Sequence, residues 1–276
     1  MFVSIKKKPL SNSLRHVCLI NKKSLWHGKC IKKLSFVSHV LSNNSTKKRY
    51  LRTKGTIPFG RRVRVTSHDN RFLGVPSLVL RLEYNPYRSC FLALILSGNG
   101  LLCYLNAVSG MLPGKLVGTY IRAYDSLTFF LSEGDRVSLN LVPDGCIISN
   151  IEKYSGLGSA YIRSAGTYGQ MMHKNGRFAY IKLPTGSFIK LSISNQATLG
   201  ANLNKFHNSV VLGKAGRAKW RGHKSIVRGV AMNPVDHPHG GGEGKKGKKP
   251  DPMTYWGKVF KWRKTSKTNE KRSNEK

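Results

Sequence analysis

The chain has 276 residues, of which 39% are hydrophobic, and this is enough for one large or two small domains with buried cores. Lysine and arginine number 48 against 12 aspartate and glutamate, so the formal net charge is +36. This composition excludes a wholly disordered tail, and the charge indicates a polyanionic partner, with nucleic acid as the first candidate.

The charge is concentrated at the two ends of the chain. Residues 1–60 carry 14 basic residues and no acid, residues 201–276 carry 19 basic and five acidic residues, and the middle carries 15 and seven. Two basic flanks therefore surround a middle of more ordinary charge. We interpret the first flank as a basic N-terminal arm or a partial targeting segment, because an RNA-binding arm and an organelle transit peptide share this composition.

Short runs of β-branched, leucine and aromatic residues, separated by turn residues, predict five strands over residues 61–128. The runs are RRVRVTS, PSLVLRLEY, SCFLALILS, LLCYLNAV and GTYIRAY. Because so short a sheet would otherwise leave exposed edges, the pattern favours a small closed β barrel. At the first hairpin, Glu83 is predicted to pair with Arg81 or Arg88.

A second set of runs predicts another small β barrel or roll over residues 129–203. The runs are RVSLNLVP, CIISNIE, AYIRSAG, YGQMMHKN, FAYIKLP and SFIKLSI. Helical periodicity is nearly absent from the chain. One short helix is predicted around NQATLGANLN, at residues 195–204.

Residues 204–276 mix glycine, lysine, arginine and isolated aromatic residues with little alternation. Such a segment cannot bury enough apolar surface to fold alone, so it is either disordered or ordered by a partner. Its aromatic rings can stack on bases while its cations meet phosphates, and this favours nucleic acid as the partner. The rings are those of Trp220, Tyr255, Trp256, Phe260 and Trp262.

The five cysteines include no C-x-x-C pair and no histidine at zinc-finger spacing. They indicate neither a disulfide scaffold nor a structural zinc site, and they fit a reducing compartment. No apolar run approaches the roughly 20 residues that a membrane span requires. We therefore expect no membrane partner.

The stretch AMNPVDHPHGGGEGKKGKKPD, at residues 231–251, contains the residue types of a catalytic or metal-binding site. Asp236 could orient His237 as a general base, but adjacent side chains rarely form an acid–histidine pair. Asp236, His237 and His239 are also too close in sequence to complete a tetrahedral metal site without a ligand from elsewhere. Both interpretations are therefore disfavoured.

A third interpretation of the same stretch rests on its shape. Pro234 and Pro238 fix the backbone, and the glycines at 240–242 permit a close approach to a surface. In a basic tail the surface approached is folded RNA, and the lysines that follow the glycines would meet phosphates. We favour this interpretation.

Five motifs resemble the universal rRNA-binding family of large-subunit ribosomal protein two, of the bacterial and organellar type. They are RLEYNPYRS (81–89), RSAGTYGQ (163–170), QATLG (196–200), VLGKAGRAKWRG (211–222) and VRGVAMNPVDHPHGGGEGK (227–245). The resemblance covers about residues 75–257, and residues 1–50 show no counterpart.

The resemblance implies a mainly β chain with a long, basic, irregular C-terminal extension, and the composition of residues 1–60 adds a long, basic, irregular N-terminal extension. Residues 61–128 would form an oligonucleotide-binding (OB-fold) barrel and residues 129–203 an SH3-like barrel. Residues 204–276 would form a basic C-terminal extension that rRNA orders.

The resemblance also implies a non-enzymatic structural constituent of the large ribosomal subunit. Its partners would be large-subunit rRNA, neighbouring ribosomal proteins and the small subunit, and it would support assembly, tRNA binding and the peptidyl transferase centre. No cofactor is implied, and Mg²⁺ is expected only as a counterion of the rRNA. Sequence drift around retained motifs favours a mitochondrial location, with a plastid or the bacterial cytoplasm as alternatives.

The resemblance and the basic, glycine-rich pattern together imply a set of rRNA-binding residues. They are Arg88, Arg163, Ser164, Tyr168, Lys214, Arg217, Lys219, Trp220, Arg221, Arg228, Asn233, His237, His239, Gly240, Gly241 and Lys245. No residue is assigned to catalysis or to metal binding, and His237 is kept as a candidate support of the RNA catalytic centre. Two other functions stay open, a metal- or histidine-dependent RNA hydrolase and a general RNA chaperone.

Overall fold

The computed structural model describes residues 4–37, 62–64, 66, 74–86, 88–120, 131–220, 225–242, 251–259 and 261. The chain divides into two compact units, Met1–His223 and Lys224–Lys276. The fold is mainly β, with curled sheets of the OB and SH3-like kinds, as predicted. In the described part of the chain no helix has both the length and the apolar character that crossing a membrane requires.

The first eight strands of the first unit form one four-stranded sheet and two separate two-stranded sheets. They are β1 (Ser4–Lys6), β2 (Cys18–Ile20), β3 (Ser35–Val37), β4 (Arg62–Arg64), β5 (Ser77–Glu83), β6 (Leu92–Ser97), β7 (Leu102–Asn106) and β8 (Leu116–Val117). Four of them form an antiparallel sheet in the order β7-β6-β5-β8, and β3 pairs with β4. Thr66, just after β4, bridges Tyr104 of β7.

Strand β6 is apolar on both of its faces because two clusters cover it. Ala93 and Ile95 belong to the core inside the curled sheet. Leu92 and Leu94 face the other way and pack with Tyr104 against Ile31 and Leu34 of the N-terminal segment. This accounts for a continuous apolar run where a sheet with one wet face would alternate.

Residues 4–37 pack on this first sheet at several points. The Trp26 amide donates to the carbonyl of Leu82 at 2.8 Å, and the Arg81 guanidinium lies 4.3 Å from the Trp26 ring centroid. Leu25 is buried in the core of the sheet, and Cys18 forms a bridge with Val211. The N-terminal segment therefore contributes to the first hydrophobic core.

Nine further strands of the first unit build the second sheet and a separate hairpin. They are β9 (Thr119–Tyr120), β10 (Arg136–Ser138), β11 (Ile147–Ser149), β12 (Ile151–Glu152), β13 (Ser159–Tyr161), β14 (Gly169–Asn175), β15 (Phe178–Lys182), β16 (Phe188–Ser192) and β17 (Gln196–Leu199). The sheet has the order β16-β15-β14-β11-β17-β10-β9, and β12 pairs with β13. Its inward side chains form a second core.

The prediction of a helix at residues 195–204 is wrong, because strand β17 occupies residues 196–199. All four residues of β17 are buried, and the strand pairs on one side with β10 and on the other with β11. Pairing on both edges and full burial outweigh the weak helical preference of so short a segment. Gly200, at φ 97°, follows the strand directly.

The fifth strand predicted for the first barrel, GTYIRAY at residues 118–124, begins in the second sheet instead of the first. Leu116 and Val117 pair with β5 in the first sheet, whereas Thr119 and Tyr120 pair with β10 in the second. Gly118 lies at the change of sheet, where a Cβ would approach the Tyr120 ring to within 2.1 Å. The rest of that run lies outside the described residues.

Helices in the described residues are short. They are α1 (Ala215–Trp220) and the 3-10 turns Lys32–Leu34, Lys205–Ser209 and Gly229–Ala231. None of them was predicted, because each spans at most six residues and has no buried face that would leave a helical period in the sequence.

A buried ion pair ties β10 to the hairpin of β12 and β13. Arg136 donates to the Glu152 carboxylate and, through Nε, to Gln196 Oε1 at 2.6 Å. The other Glu152 oxygen accepts from the Gln196 amide at 3.2 Å. Burial lowers the pKa of Arg136, and the charge of Glu152 opposes that shift.

We expect Glu152→Ala to destabilise the protein by about 3–5 kcal/mol, because it leaves the buried Arg136 charge without its partner. Urea unfolding of the purified chain measures the loss. Asp144→Asn, at an exposed turn, removes the same charge and should change stability by less than about 0.5 kcal/mol. Equal losses in the two variants would show that total charge, not the buried pair, is what matters.

Candidate nucleic-acid interface

Three loops that are distant in sequence meet at one place in the first unit. The Ala165 amide donates to Ser89 Oγ at 3.1 Å, and Asn204 Nδ2 donates to the Ser89 carbonyl at 2.7 Å. Gly166, at φ 67°, lies so close to Lys205 that a Cβ would approach its Cα to 2.9 Å. The structure thus brings the loop of Arg88 next to the loop that begins at Arg163.

A buried chain of asparagines holds this junction together. Asn106 Nδ2 donates to Asn150 Oδ1 at 2.8 Å, and Asn150 Nδ2 donates to Asn202 Oδ1 at 3.1 Å. Asn202 Nδ2 in turn donates to the Ile162 carbonyl at 2.8 Å, just before Arg163. Asn150, at φ 51°, also divides the predicted strand CIISNIE into β11 and β12.

Sequence reasoning missed these asparagines as site-building residues. The signal was present in Asn106 and Asn150, which interrupt otherwise apolar strand runs. A buried amide requires hydrogen-bond partners, so such positions predict a polar network inside the fold.

The predicted residues of the loop at 163–168 differ in exposure. Arg163 is half-buried and lines an open cavity of about 330 Å³ together with Asn106 and Gly156. Ser164 is exposed, and its carbonyl accepts from Thr167 Oγ1 at 2.8 Å, which closes the turn. Tyr168 is 52% exposed, so its ring is open to a partner.

A second predicted group lies on and around α1. Trp220 is 66% exposed rather than buried, and Lys214 Nζ lies 4.9 Å from the centroid of its ring. Lys219 is exposed. Arg217 is half-buried and donates from Nη1 to the Leu212 carbonyl at 2.7 Å, so it also fixes the start of the helix. Arg221 lies outside the described residues.

The second unit contains the remaining predicted residues in a loop closed by backbone hydrogen bonds. The Asn233 carbonyl accepts from the Asp236 amide at 3.0 Å, and the Gly240 amide donates to the His237 carbonyl at 2.8 Å. A Cβ at Gly240 would lie 2.2 Å from the Asn233 oxygen, and Gly241 has φ 73°. Glycine is therefore required at 240 by packing and favoured at 241 by backbone conformation.

His237 is the buried residue of this loop, with 7% of its surface exposed. Its Nδ1 accepts from the His239 amide at 2.9 Å, and the Tyr255 ring meets it edge-on at 4.7 Å. Asp236 is exposed, so the group that engages Nδ1 is a backbone amide and not the neighbouring carboxylate. Burial, reinforced by His239, lowers the pKa of His237.

His239 joins the loop to the segment 251–259. Its Nε2 lies 3.2 Å from both the Met253 amide and the Asp251 carbonyl, and each tautomer of the ring serves one of the two. The Tyr255 hydroxyl donates to the Val227 carbonyl at 3.2 Å. These two contacts fasten the segment to the loop, a role that sequence reasoning did not assign to Tyr255.

The other predicted residues of the second unit have simpler surroundings. Arg228 and Asn233 are exposed, and Lys245 lies outside the described residues. Within the described ranges, no three histidine, cysteine, aspartate or glutamate side chains form a group that could hold a metal ion.

Residues 132–257 match the family model of the C-terminal domain of ribosomal proteins L2. The chain is 37% identical over 266 residues to large ribosomal subunit protein uL2 of Orientia tsutsugamushi (strain Ikeda), a match over 94% of this chain and 92% of that protein. It is 40% identical to the protein of that name from Ehrlichia chaffeensis (strain ATCC CRL-10679 / Arkansas), over 93% of this chain and 91% of the relative.

A third relative, uL2 of Granulibacter bethesdensis (strain ATCC BAA-1260 / CGDNIH1), is 37% identical over 95% of this chain and 93% of its own length. Matches this long leave too few residues uncovered for all of residues 1–50 to lie outside them. The expectation that the similarity is confined to residues 75–257 is therefore wrong.

We expect Gly240→Ala to open the loop of the second unit, because the added methyl group would overlap the Asn233 carbonyl. Hydrogen exchange at the Gly241 amide, which donates to the Met232 carbonyl, should become about tenfold faster or more. Gly216→Ala is the matched control, since nothing lies within 4 Å of a Cβ there. Unchanged exchange in Gly240→Ala would contradict the packing argument.

We expect the His237 ring to titrate below the ordinary histidine pKa of 6.5. Because the folded value is lowered, the unfolded state binds more protons as the pH falls. The stability that His237 contributes is complete at a pH above its pKa in the unfolded state. It is lost as the pH falls through its pKa in the folded state. An NMR titration of the histidine rings measures the midpoint, and a midpoint at or above 6.5 would contradict the burial argument.

Proposed function

Because the chain belongs to the family of large ribosomal subunit protein uL2, we propose that it binds large-subunit rRNA as a non-enzymatic structural constituent of that subunit. The observation that carries the proposal is the run from Glu152 to Asp236. It contains thirteen lysines and arginines between those two acids and no acid of its own. Cations without internal counter-charges favour a dense polyanion as partner.

The exposed groups of the first unit support binding through phosphates and bases together. Lys214 and Lys219 supply charge beside the exposed ring of Trp220, and Tyr168 offers a second ring. Cations neutralise phosphates while aromatic rings stack on unpaired bases. In this proposal the second unit approaches RNA with its glycine-rich backbone, and Mg²⁺ acts only as a counterion of the RNA.

The same geometry favours a supporting role for His237 over catalysis. The ring is buried, its Nδ1 is engaged by a backbone amide, and Asp236 is turned to solvent. A general base must reach the proton that it abstracts. A histidine-dependent RNA hydrolase would instead show turnover by the purified protein, and this turnover would be lost in His237→Ala.

We also propose the finer roles that the family resemblance implies. They are support of subunit assembly, of contact with the small subunit, of tRNA binding and of the peptidyl transferase region. Neighbouring ribosomal proteins are further proposed partners. On this proposal most of the cellular pool sediments with large subunits, and a predominantly free pool would contradict it.

We propose a mitochondrial location for the protein. The relatives named above are alpha-proteobacterial, the bacterial group related to mitochondria, and residues 1–60 carry 14 basic residues without an acid. Because Val17 and Leu25 are buried, we propose that the chain from Val17 onward is kept in the mature protein. N-terminal sequencing of the native protein tests this, and a start beyond Val17 would refute it.

Binding to rRNA should weaken steeply as the salt concentration rises. Lys219→Gln should make this dependence shallower, reducing the magnitude of the slope of log affinity against log salt by about 1. Filter binding to a large-subunit rRNA transcript at several salt concentrations measures both quantities. Lys115→Gln is the matched control. The substitution removes the same charge at a different place, where the Lys115 ammonium group donates to the Glu133 carbonyl. Equal slopes in the two variants would contradict a phosphate contact at Lys219.

Selectivity separates the proposed function from a general RNA chaperone. We expect tighter binding to the large-subunit rRNA transcript than to an unrelated transcript of equal length. Comparable affinity for the two transcripts would favour the chaperone.

A further inference from the structure

The outer face of the second sheet presents aromatic and cationic side chains that none of the motifs discussed above includes. The face is formed by β14, β15 and β16, and we call it the ring face. Its members are His173, Phe178, Tyr180, Lys182, Phe188 and Lys190.

The register of the three strands places these side chains side by side. Tyr180, on the central strand, lies opposite His173 on β14 and opposite Lys190 on β16. Lys182 lies opposite Phe188. Since directly opposed residues in antiparallel strands point to the same side, one face alternates rings with cations.

The other face of the same strands belongs to the core. Met171, Ala179 and Ile181 are fully buried there. On the ring face, Phe188 is 57% exposed and Phe178 is 41% exposed. Together with the cations between them, these two open rings make the face a candidate surface for a partner.

The rings of the face are already arranged by contacts among themselves. His173 stacks on Tyr180 with ring centroids 4.5 Å apart and planes inclined by 16°. Lys190 Nζ lies 4.1 Å from the centroid of Phe178. The face therefore offers flat, ordered rings with ammonium groups next to them.

The charge of the face is not balanced by carboxylates within its own segment. Residues 169–192 contain Lys174, Arg177, Lys182 and Lys190 and no aspartate or glutamate. An apolar protein surface would meet these cations only at the cost of desolvating them, whereas a nucleic acid supplies a phosphate for each. Charge complementarity therefore favours RNA as the occupant.

We propose that the ring face binds an unpaired segment of RNA, with bases stacked on its exposed rings and phosphates near Lys182 and Lys190. Rings on a sheet, flanked by cations, recognise single strands in this way, because every base presents a flat face. The inference rests on the proposed rRNA-binding function and adds a site for unpaired nucleotides to it.

The double variant Phe178→Leu and Phe188→Leu tests the stacking. Leucine keeps the apolar area and leaves the buried face untouched, but it removes the aromatic surface. Binding of a short unstructured RNA oligonucleotide should weaken about fivefold or more, while binding of an RNA duplex of equal length should change little. Trp26→Leu is the matched control, because Trp26 is an exposed ring beside Arg81 on the first sheet and its replacement should leave both affinities unchanged.

Three results of this experiment and of filter binding to the rRNA transcript are distinguishable. Loss of oligonucleotide binding in the ring variant alone supports the proposal. Full oligonucleotide binding by that variant overturns it while leaving rRNA binding intact. Failure of the unaltered protein to bind the rRNA transcript overturns the proposed function itself.

Crosslinking in purified large subunits separates RNA from protein as the occupant. After ultraviolet irradiation, the peptide that contains Phe178–Lys182 should carry a nucleotide adduct by mass spectrometry. A chemical crosslink from Lys182 or Lys190 to another ribosomal protein, without such an adduct, would show that a protein covers the face and would overturn the proposal.

Discussion

The structure depends on where a chain of net charge +36 places its few carboxylates. Glu83, Asp135 and Glu152 are all buried. Glu83 pairs with Arg64 and Arg81, Glu152 pairs with Arg136, and Asp135 accepts from the Gly118 and Ser132 amides. Because these acids neutralise charges and amides inside the fold, they do not shield the cations on its surface. The burial of these three carboxylates therefore serves the fold and leaves the surface of the first unit rich in cations.

The two units are stabilised by different interactions. The first has two apolar cores, whereas the second is organised by backbone hydrogen bonds around one buried imidazole. Glycines at 229 and 240 allow that organisation, because a Cβ at either would overlap the His237 ring or the Asn233 carbonyl. Arg228 and Asp236, the charged residues of the described range 225–242, are exposed and take no part in that packing.

Local alternation was enough to predict most strands of both sheets, because period-two burial leaves a direct trace in sequence. It failed at β17, where pairing on both edges overrode the sequence pattern, and at Gly118, where the chain changes sheet. The confirmed pairing of Glu83 with Arg81 was predictable from their closeness in sequence. The sequence signals a buried polar group at Asn106 and Asn150, but which asparagines bond to each other was not predictable, since they are brought together only by the tertiary fold.

His237 illustrates why residue types alone misjudge a site. In the folded loop its Nδ1 is a hydrogen-bond acceptor for the His239 amide, and a neutral ring that accepts there carries its proton on Nε2. Protonation of Nδ1 would break the contact that closes the turn, so the neutral form is part of the architecture. The ring is thereby committed to holding Tyr255 and the glycine-rich backbone in place. The position of that backbone therefore depends on the neutral His237 ring.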